Sequence, residues 1–312
     1  MGQYKPFEFS TDPMTATRAI MDPPASRALP SKLRDYYTLT KPEVNLLILM
    51  TTSAGYYLGS QGPLRVGRLL LTLVGTLLVA SGTAAINQWM ERRYDAQMRR
   101  TANRPLVSGR LSSRKACWFG LSLSVGGGTL LAVSVNVLSA FLAIGTLLGY
   151  LLVYTPLKRK TPLCTLLGAV PGAMPTLIGW AASAGGIEHD TWLLFGILFL
   201  WQFPHFLAIA LMYREDYAGA GFRMLPRFDT EGRFTKAEIV AFTLVLITVT
   251  MLPLAGRGGA IYSLIMFTAG AVFLYHTAKL ARSGSRVLAS RVVHASVIYL
   301  PVVLGTMMAW KT

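Results

Sequence analysis

Long apolar stretches separated by polar links run from Glu43 to the C-terminus. A helix needs roughly 20 apolar residues to cross the hydrocarbon core of a bilayer, and these stretches are of that size. They are far longer than the strands of a membrane barrel, so helices are the remaining way to satisfy the backbone. The pattern predicts nine spans, at about 44–60, 68–89, 116–134, 138–156, 164–183, 191–212, 237–254, 260–279 and 292–310. The expected fold is an all-α integral membrane protein with about nine transmembrane helices. Residues 1–35 differ. They are polar, contain Pro13, Pro23, Pro24 and Pro30, and lack the apolar core of a signal peptide. They read as a loose, disordered cytoplasmic tail ahead of one transmembrane domain over 36–312.

Composition agrees with the pattern. Hydrophobic residues make up 53% of the 312 and charged residues 14%, against about 25% charged in a soluble domain. Net charge is +16, which in a soluble protein suggests nucleic acid. Here the cations sort by membrane side instead. Of the 30 Lys and Arg, 24 fall in the tail or in the links 90–115, 157–163, 213–236 and 280–291, and Lys41 and Lys279 adjoin them at span ends on the same side. Only Arg65, Arg68, Arg257 and Lys311 fall on the other side. Basic residues mark cytoplasmic loops, so no nucleic-acid partner is required. The expected topology is multi-pass in a cell inner membrane, N-terminus cytoplasmic and C-terminus periplasmic. Cys117 and Cys164 lie in or beside apolar segments and read as core residues.

The end of the second span reads NQWMERRYDAQMRRTANRPL. Asn87, Glu91 and Asp95 recur every four residues, which on a helix is one face. One acid at a membrane edge is ordinarily just a loop residue. Two acids and a membrane-buried amide on one face, followed by Arg99, Arg100 and Arg104, suit a diphosphate carried with Mg²⁺. The metal takes one or two carboxylates and shares its other positions with phosphate and water. Arginine supplies paired donors to phosphate. The sixth span ends in MYREDYAGAGFRMLP, where Arg214, Glu215 and Asp216 repeat the theme. A charged loop after a helix is common, but a second one on the same side suggests a second metal-ligand arm. If the bundle brings both ends together, four carboxylates converge on one cavity. Lys158 and Arg159 cap the fourth span on that side.

The fifth span holds Pro171 and Pro175 among Gly168, Gly172 and Gly179. It suggests a distorted helix beside a wide central cavity, with close helix packing as the plainer reading. Gln202 and His205 lie inside the sixth span; a buried histidine is more often hydrogen-bonded structure than a ligand, but polar groups are costly in a span, which raises the case for substrate contact. No nucleotide-binding loop, dinucleotide fingerprint, zinc-protease motif or nucleophile elbow is present.

The spacing N-x-x-x-[D/E]-x-x-x-D after span two, with a second acidic motif after a later span, resembles the UbiA superfamily of intramembrane prenyltransferases. TKPEVNLLILMTT, YTPLKRKTP, GAMPTLIGWAA and WQFPHFLAIALMYREDYAGAGFRMLP, with the span-two motif, resemble its heme-farnesylating branch. They cover about 40–230. Two departures stand out. Glu91 replaces the more usual Asp, and Tyr213 and Tyr217 occupy the D-x-x-x-D positions with Glu215–Asp216 between them.

The resemblance implies nine helices around a central cavity and Mg²⁺ as cofactor. It implies transfer of farnesyl from farnesyl diphosphate to a vinyl group of heme B with addition of water, giving heme O. Asn87, Glu91, Asp95, Glu215 and Asp216 would be catalytic, with metal on Glu91, Asp95 and Asp216. Arg99, Arg100, Arg104, Lys158, Arg159 and Arg214 would hold diphosphate, and Gln202 and His205 would meet substrate. Trp89, Tyr94 or Trp201 could face the allylic cation. Partners would be the two substrates, the lipid bilayer, and a heme A synthase or terminal-oxidase assembly factors that take the product. Two other readings remain: an aromatic prenyltransferase of quinone synthesis, and, outside the enzymes, a transporter of an anionic substrate. The transporter reading expects inverted repeats and charges deep in the spans, and neither is evident.

Overall fold

The computed structural model describes residues 32–229, 231–252 and 259–311, and among them there are helices, turns and coil but no strand. Of the tail expected over 1–35, only 32–35 fall in this range, and they open helix α1 (Lys32–Leu39). The remainder of the tail, and Arg257 in the last outer loop, lie outside the described residues. Helix α1 is tied down by chemistry the spans do not use. Arg110 Nε donates to buried Asp35 at 2.9 Å, and Leu39 packs with Ala85 and Ala116.

Then come α2 (Pro42–Gly59), α3 (Val66–Asp95), α4 (Ser113–Ser134), α5 (Val137–Leu157), α6 (Cys164–Ala184) and α7 (His189–Met212). Two short helices follow, α8 (Arg214–Gly219) and α9 (Leu225–Phe228). The chain closes with α10 (Arg233–Met251), α11 (Ala260–Ser283) and α12 (Arg286–Ala309). Eight of these are long and apolar enough to cross a membrane. Helix α2 is the ninth long helix, and it carries Glu43, Asn45, Thr51 and Thr52 among its apolar residues. Each long helix packs on the next, and α12 returns to α2, so the bundle closes into a ring. Helices α6 and α7 are the most enclosed.

Local chemistry sets the ends. The Asn136 side chain accepts from Ser139 N–H to start α5, and Ser285 accepts from Leu288 N–H to start α12. Glu188 and Thr191 form a reciprocal capping box at α7. Helices α6 and α11 stop at Gly185 and Gly284, whose φ of 79° and 65° an L side chain rarely adopts. Within α5, Gly149–Tyr154 widens into a π turn. Pro156 follows one residue beyond it; a proline lacks the N–H and crowds the carbonyl four residues back, and a widened turn relieves both.

Helix α6 is continuous through Pro171 and Pro175. The prolines do not interrupt the helix, and Gly168 and Gly172 serve packing. A side chain at Gly168 would strike the Tyr154 ring, and one at Gly172 would strike Gln202. The reading of simple close packing holds at these two positions. Cys164 is buried and Cys117 half-buried, both free thiols.

Asp229 Oδ2 accepts from Thr235 N–H at 2.7 Å and so caps α10 from the preceding loop. Burial raises its carboxyl pKa, but the backbone N–H groups of Thr235, Arg233 and Phe234 outweigh this and hold it below the usual carboxylate value. A lowered folded pKa stabilises the fold above the ordinary value near 4 and loses that stability as pH falls through it. Asp229→Ala should cost about 1 kcal/mol at pH 7. The difference from wild type should shrink toward pH 3 in detergent melts; a pH-independent difference would contradict the capping role.

Candidate active site

Helix α3 continues to Asp95, past the expected end of span two at 89, so the whole Asn87–Glu91–Asp95 series lies on one helix. All three side chains are buried. An ionised acid out of water must be paired or neutralised, and each acid has a cation supplied from elsewhere. Lys158, from the link after α5, hydrogen-bonds Glu91 Oε2 at 2.8 Å and lies 2.7 Å from Oε1. Arg104, from the link after α3, pairs with Asp95 Oδ2. Asn87 Nδ2 donates to Thr155 Oγ1 at 3.1 Å, beside the π turn, and Asn87 Oδ1 accepts from Lys41 Nζ at 3.4 Å.

Lys41 is the site residue that the sequence reading passed over. It sits in the turn between α1 and α2 with φ 52° and ψ 65°, the sole non-glycine residue at positive φ among those described. Such a backbone costs roughly 1 kcal/mol or more and recurs at functional sites. Burial, then the nearby charges of Arg104 and Lys158, push its pKa down to about 7, against the pull of Glu91 and Asp95. The signal in the sequence was a lysine before a proline at the mouth of a span.

Glu91 Oε1 is buried and receives no hydrogen bond of good geometry, although Lys158 is close. Its second lone pair remains open to a cation. Two buried carboxylates with hard oxygen donors, held for now by Lys158 and Arg104, fit Mg²⁺ shared with phosphate. Among the described residues no three Asp, Glu, His or Cys side chains group to hold a metal. The convergence of four carboxylates is therefore not present in this arrangement. Glu215 and Asp216 instead line an adjoining pocket of about 630 Å³ with Arg99, Arg100, Lys236 and Arg286. Arg214 also lines it.

The physical reason lies in the loop's aromatic residues. Phe222 packs with Met98 and Ala220, flanked by Tyr94 and Tyr217, and joins the two loops through an apolar plug. Arg100 lies over Tyr213 at 5.4 Å and Tyr217 at 5.8 Å, and Arg286 lies over Tyr213 at 5.5 Å. The tyrosines at the D-x-x-x-D positions thus hold guanidinium groups through their ring faces. Arg159 stacks on Tyr94 at 4.4 Å, and its buried Nε has no partner.

Gln202 donates to the carbonyls of Ala169 and Leu198, which uses both hydrogens of its amide nitrogen within the bundle. His205 Nδ1 lies 2.7 Å from Ser296 Oγ on α12. Of the candidate aromatics, Trp201 is buried with its N–H on the Ser296 carbonyl, Tyr94 lies under Arg159, and Trp89 carries Arg92.

Comparison with known proteins adds to this geometry. Residues 48–300 match the model of the UbiA prenyltransferase family. A protein of Solibacter usitatus named protoheme IX farnesyltransferase is 48% identical over 88% of this chain and 98% of its own length. One of the same name from Koribacter versatilis is 43% identical over 90% and 94%. Among solved structures, a digeranylgeranylglyceryl phosphate synthase superposes with TM-score 0.73 at 20% identity, covering 90% of this chain and 98% of that one. A UbiA homolog from Archaeoglobus fulgidus bound to GPP and Mg²⁺ superposes with TM-score 0.64 at 14% identity, over 88% and 99%. The ring of helices and the family match agree: this chain is a multi-pass membrane protein and belongs to the UbiA prenyltransferase family.

Proposed function

We infer that this chain transfers the farnesyl group of farnesyl diphosphate to a vinyl group of heme B, with addition of water, to give heme O and diphosphate. The observation that carries the reading is a buried cluster in which Lys41, Arg104 and Lys158 surround Asn87, Glu91 and Asp95, in a chain whose relatives are named protoheme IX farnesyltransferase over nearly their whole length.

The chemistry follows from the charges. Breaking the allylic C–O bond leaves negative charge on diphosphate, and fixed cations stabilise that charge as it develops. Arg104 and Lys158 already face the cavity acids and can bind phosphate oxygens instead. Lys41 Nζ, on Asn87 Oδ1, adds a third basic group to the same cluster. Arg99, Arg100, Arg159 and Arg214 extend the positive field on the same face. Mg²⁺, when bound, supplies further neutralising charge at the diphosphate; Glu91 and Asp95 would hold it. The apolar bundle keeps water from the farnesyl cation. The vinyl π electrons attack its C1, forming a C–C bond, and water adds to the adjacent vinyl carbon and loses a proton. No side chain needs to be the nucleophile.

The skew of basic residues supports an inner-membrane topology with the site on the cytoplasmic side and the C-terminus periplasmic. A reporter fused after residue 312 reads this out, and a cytoplasmic signal would overturn it. Heme O made there is available to a heme A synthase or to oxidase assembly.

Membranes containing the protein, incubated with heme B, farnesyl diphosphate and Mg²⁺, should yield a heme heavier by one farnesyl and one hydroxyl on mass spectrometry. A chelator should abolish it. Prenylation of an added aromatic acid with no modified heme would move the substrate to the quinone pathway and refute the heme reading.

A further inference from the structure

Helices α11 and α12 leave an open groove of about 570 Å³ between them. Leu264, Val272 and Ile298 wall it and are exposed, and Phe273 and Tyr299 floor it, both buried. On α12 it runs from Arg291 to Val302, roughly 16 Å of helix. That is about half of a hydrocarbon core of about 30 Å, so the groove is one leaflet deep. Arg291, His276 and His294 gather at one end of it. This end adjoins the second loop, since Gly284 and Arg286 line the pocket of Glu215 and Asp216. The Cα–Cβ bond tilts toward a helix N-terminus, which on α12 is that same end. Exposed Arg291 therefore carries its guanidinium out toward the lipid headgroups. Tyr275, exposed on α11 with Lys279 Nζ 3.4 Å from its hydroxyl, marks the headgroup level.

A cation on a lipid-facing helix needs a countercharge, and the protein supplies none here. Between Glu238 and Thr312 the sequence holds no Asp or Glu. No carboxylate lines the groove, and among the described residues no ion pair includes Arg291. No residue of α3 or of its cation-bearing links lines the groove either, so it is separate from the candidate active site. We propose that this groove binds an anionic phospholipid of the adjoining leaflet, with the phosphate on Arg291 and one acyl chain along the trough. Arginine gives paired donors to phosphate oxygens, and basic pockets between membrane helices suit anionic headgroups. His276 and His294 add ring nitrogens beside the arginine, His294 being held through Nδ1 on the Ser290 carbonyl at 2.7 Å. The proposal is independent of which substrate the active site takes.

Purified full-length protein in detergent is incubated with equal amounts of phosphatidylglycerol and phosphatidylcholine of the same chain length. After removal of free lipid, the retained lipid is counted by mass spectrometry. Wild type should retain phosphatidylglycerol about fivefold over phosphatidylcholine, and Arg291→Gln should bring the two level. Arg282→Gln removes a cation from the same end of α11 but outside the groove, and it should keep the preference. Ala269→Phe fills the trough and should lower retention of both lipids. Equal retention of the two lipids by wild type overturns the proposal. So does an equal loss in Arg291→Gln and Arg282→Gln, which assigns the preference to diffuse surface charge. Displacement of the bound lipid by an equal concentration of farnesyl diphosphate makes the groove a substrate port and overturns it too. If Arg291→Gln does not fold, Ala269→Phe decides: lipid retention unchanged from wild type sinks the proposal.

Discussion

Asp95→Asn should lower diphosphate release by about a thousandfold while the protein keeps its melting temperature to within a few degrees. Asparagine has nearly the shape of aspartate and can still accept from Arg104 through its carbonyl oxygen, so the link at the end of α3 keeps its anchor. What disappears is one negative charge in a buried cluster of three cations. Two consequences follow. A carboxylate for the metal is lost, and Arg104 no longer has a full countercharge and binds the diphosphate product more tightly. Both effects fall on the step in which charge moves onto the leaving group. The measurement is release of diphosphate in membranes under saturating farnesyl diphosphate and heme B, alongside a thermal melt of the purified protein. Turnover near that of wild type would remove Asp95 from the site.

Gly179→Ala should destabilise the bundle by about 3 kcal/mol and sharply lower the yield of folded protein. A Cβ at 179 would lie 2.0 Å from the carbonyl oxygen of Thr52 and 2.8 Å from the backbone N of Tyr56. The reverse contact is equally close, since a Cβ at Gly55 would lie 2.2 Å from Thr176 O. These neighbours are backbone atoms and cannot rotate away, so α2 and α6 must separate. Helices in a membrane associate through packing of this kind, because lipid is as apolar as they are. Activity should fall with it, since α2 begins at the turn that aims Lys41 into the site. Gly126→Ala is the control: a methyl there meets nothing within 4 Å and should leave stability unchanged or slightly raised. A Gly179→Ala protein that melts with wild type would show that the two helices are not held by this contact.

The span pattern was legible because the bilayer imposes it. Backbone groups cannot be left unpaired in hydrocarbon, so each crossing must appear as one long apolar run. The acids of α3 were legible for a similar reason: a period of four on a helix is one face whatever surrounds it. Ends were read less well. Span two was placed to end at 89, yet the helix runs to Asp95, because its last turns are charged and hydropathy cannot see a helix stabilised by Lys158 and Arg104 from other links. The π turn in α5 left only Pro156 as a local hint.

Lys41 and Ser296 mark the other limit. Each meets a polar partner far along the chain, Lys41 with Asn87 and Ser296 with His205. Nothing within a window of sequence relates them. The same holds for Glu215 and Asp216, which share a membrane side with Glu91 and Asp95 but line a different pocket, because Phe222 and its tyrosines pack between the loops. The sequence by itself determined the membrane class, the long helices, the charge asymmetry and the acid face of α3, since each is set by local periodicity or by the solvent. Only the tertiary structure decided which cation meets which acid, that the turn before α2 is strained to deliver Lys41, and that His205 meets Ser296, since those depend on contacts closed by the ring of helices.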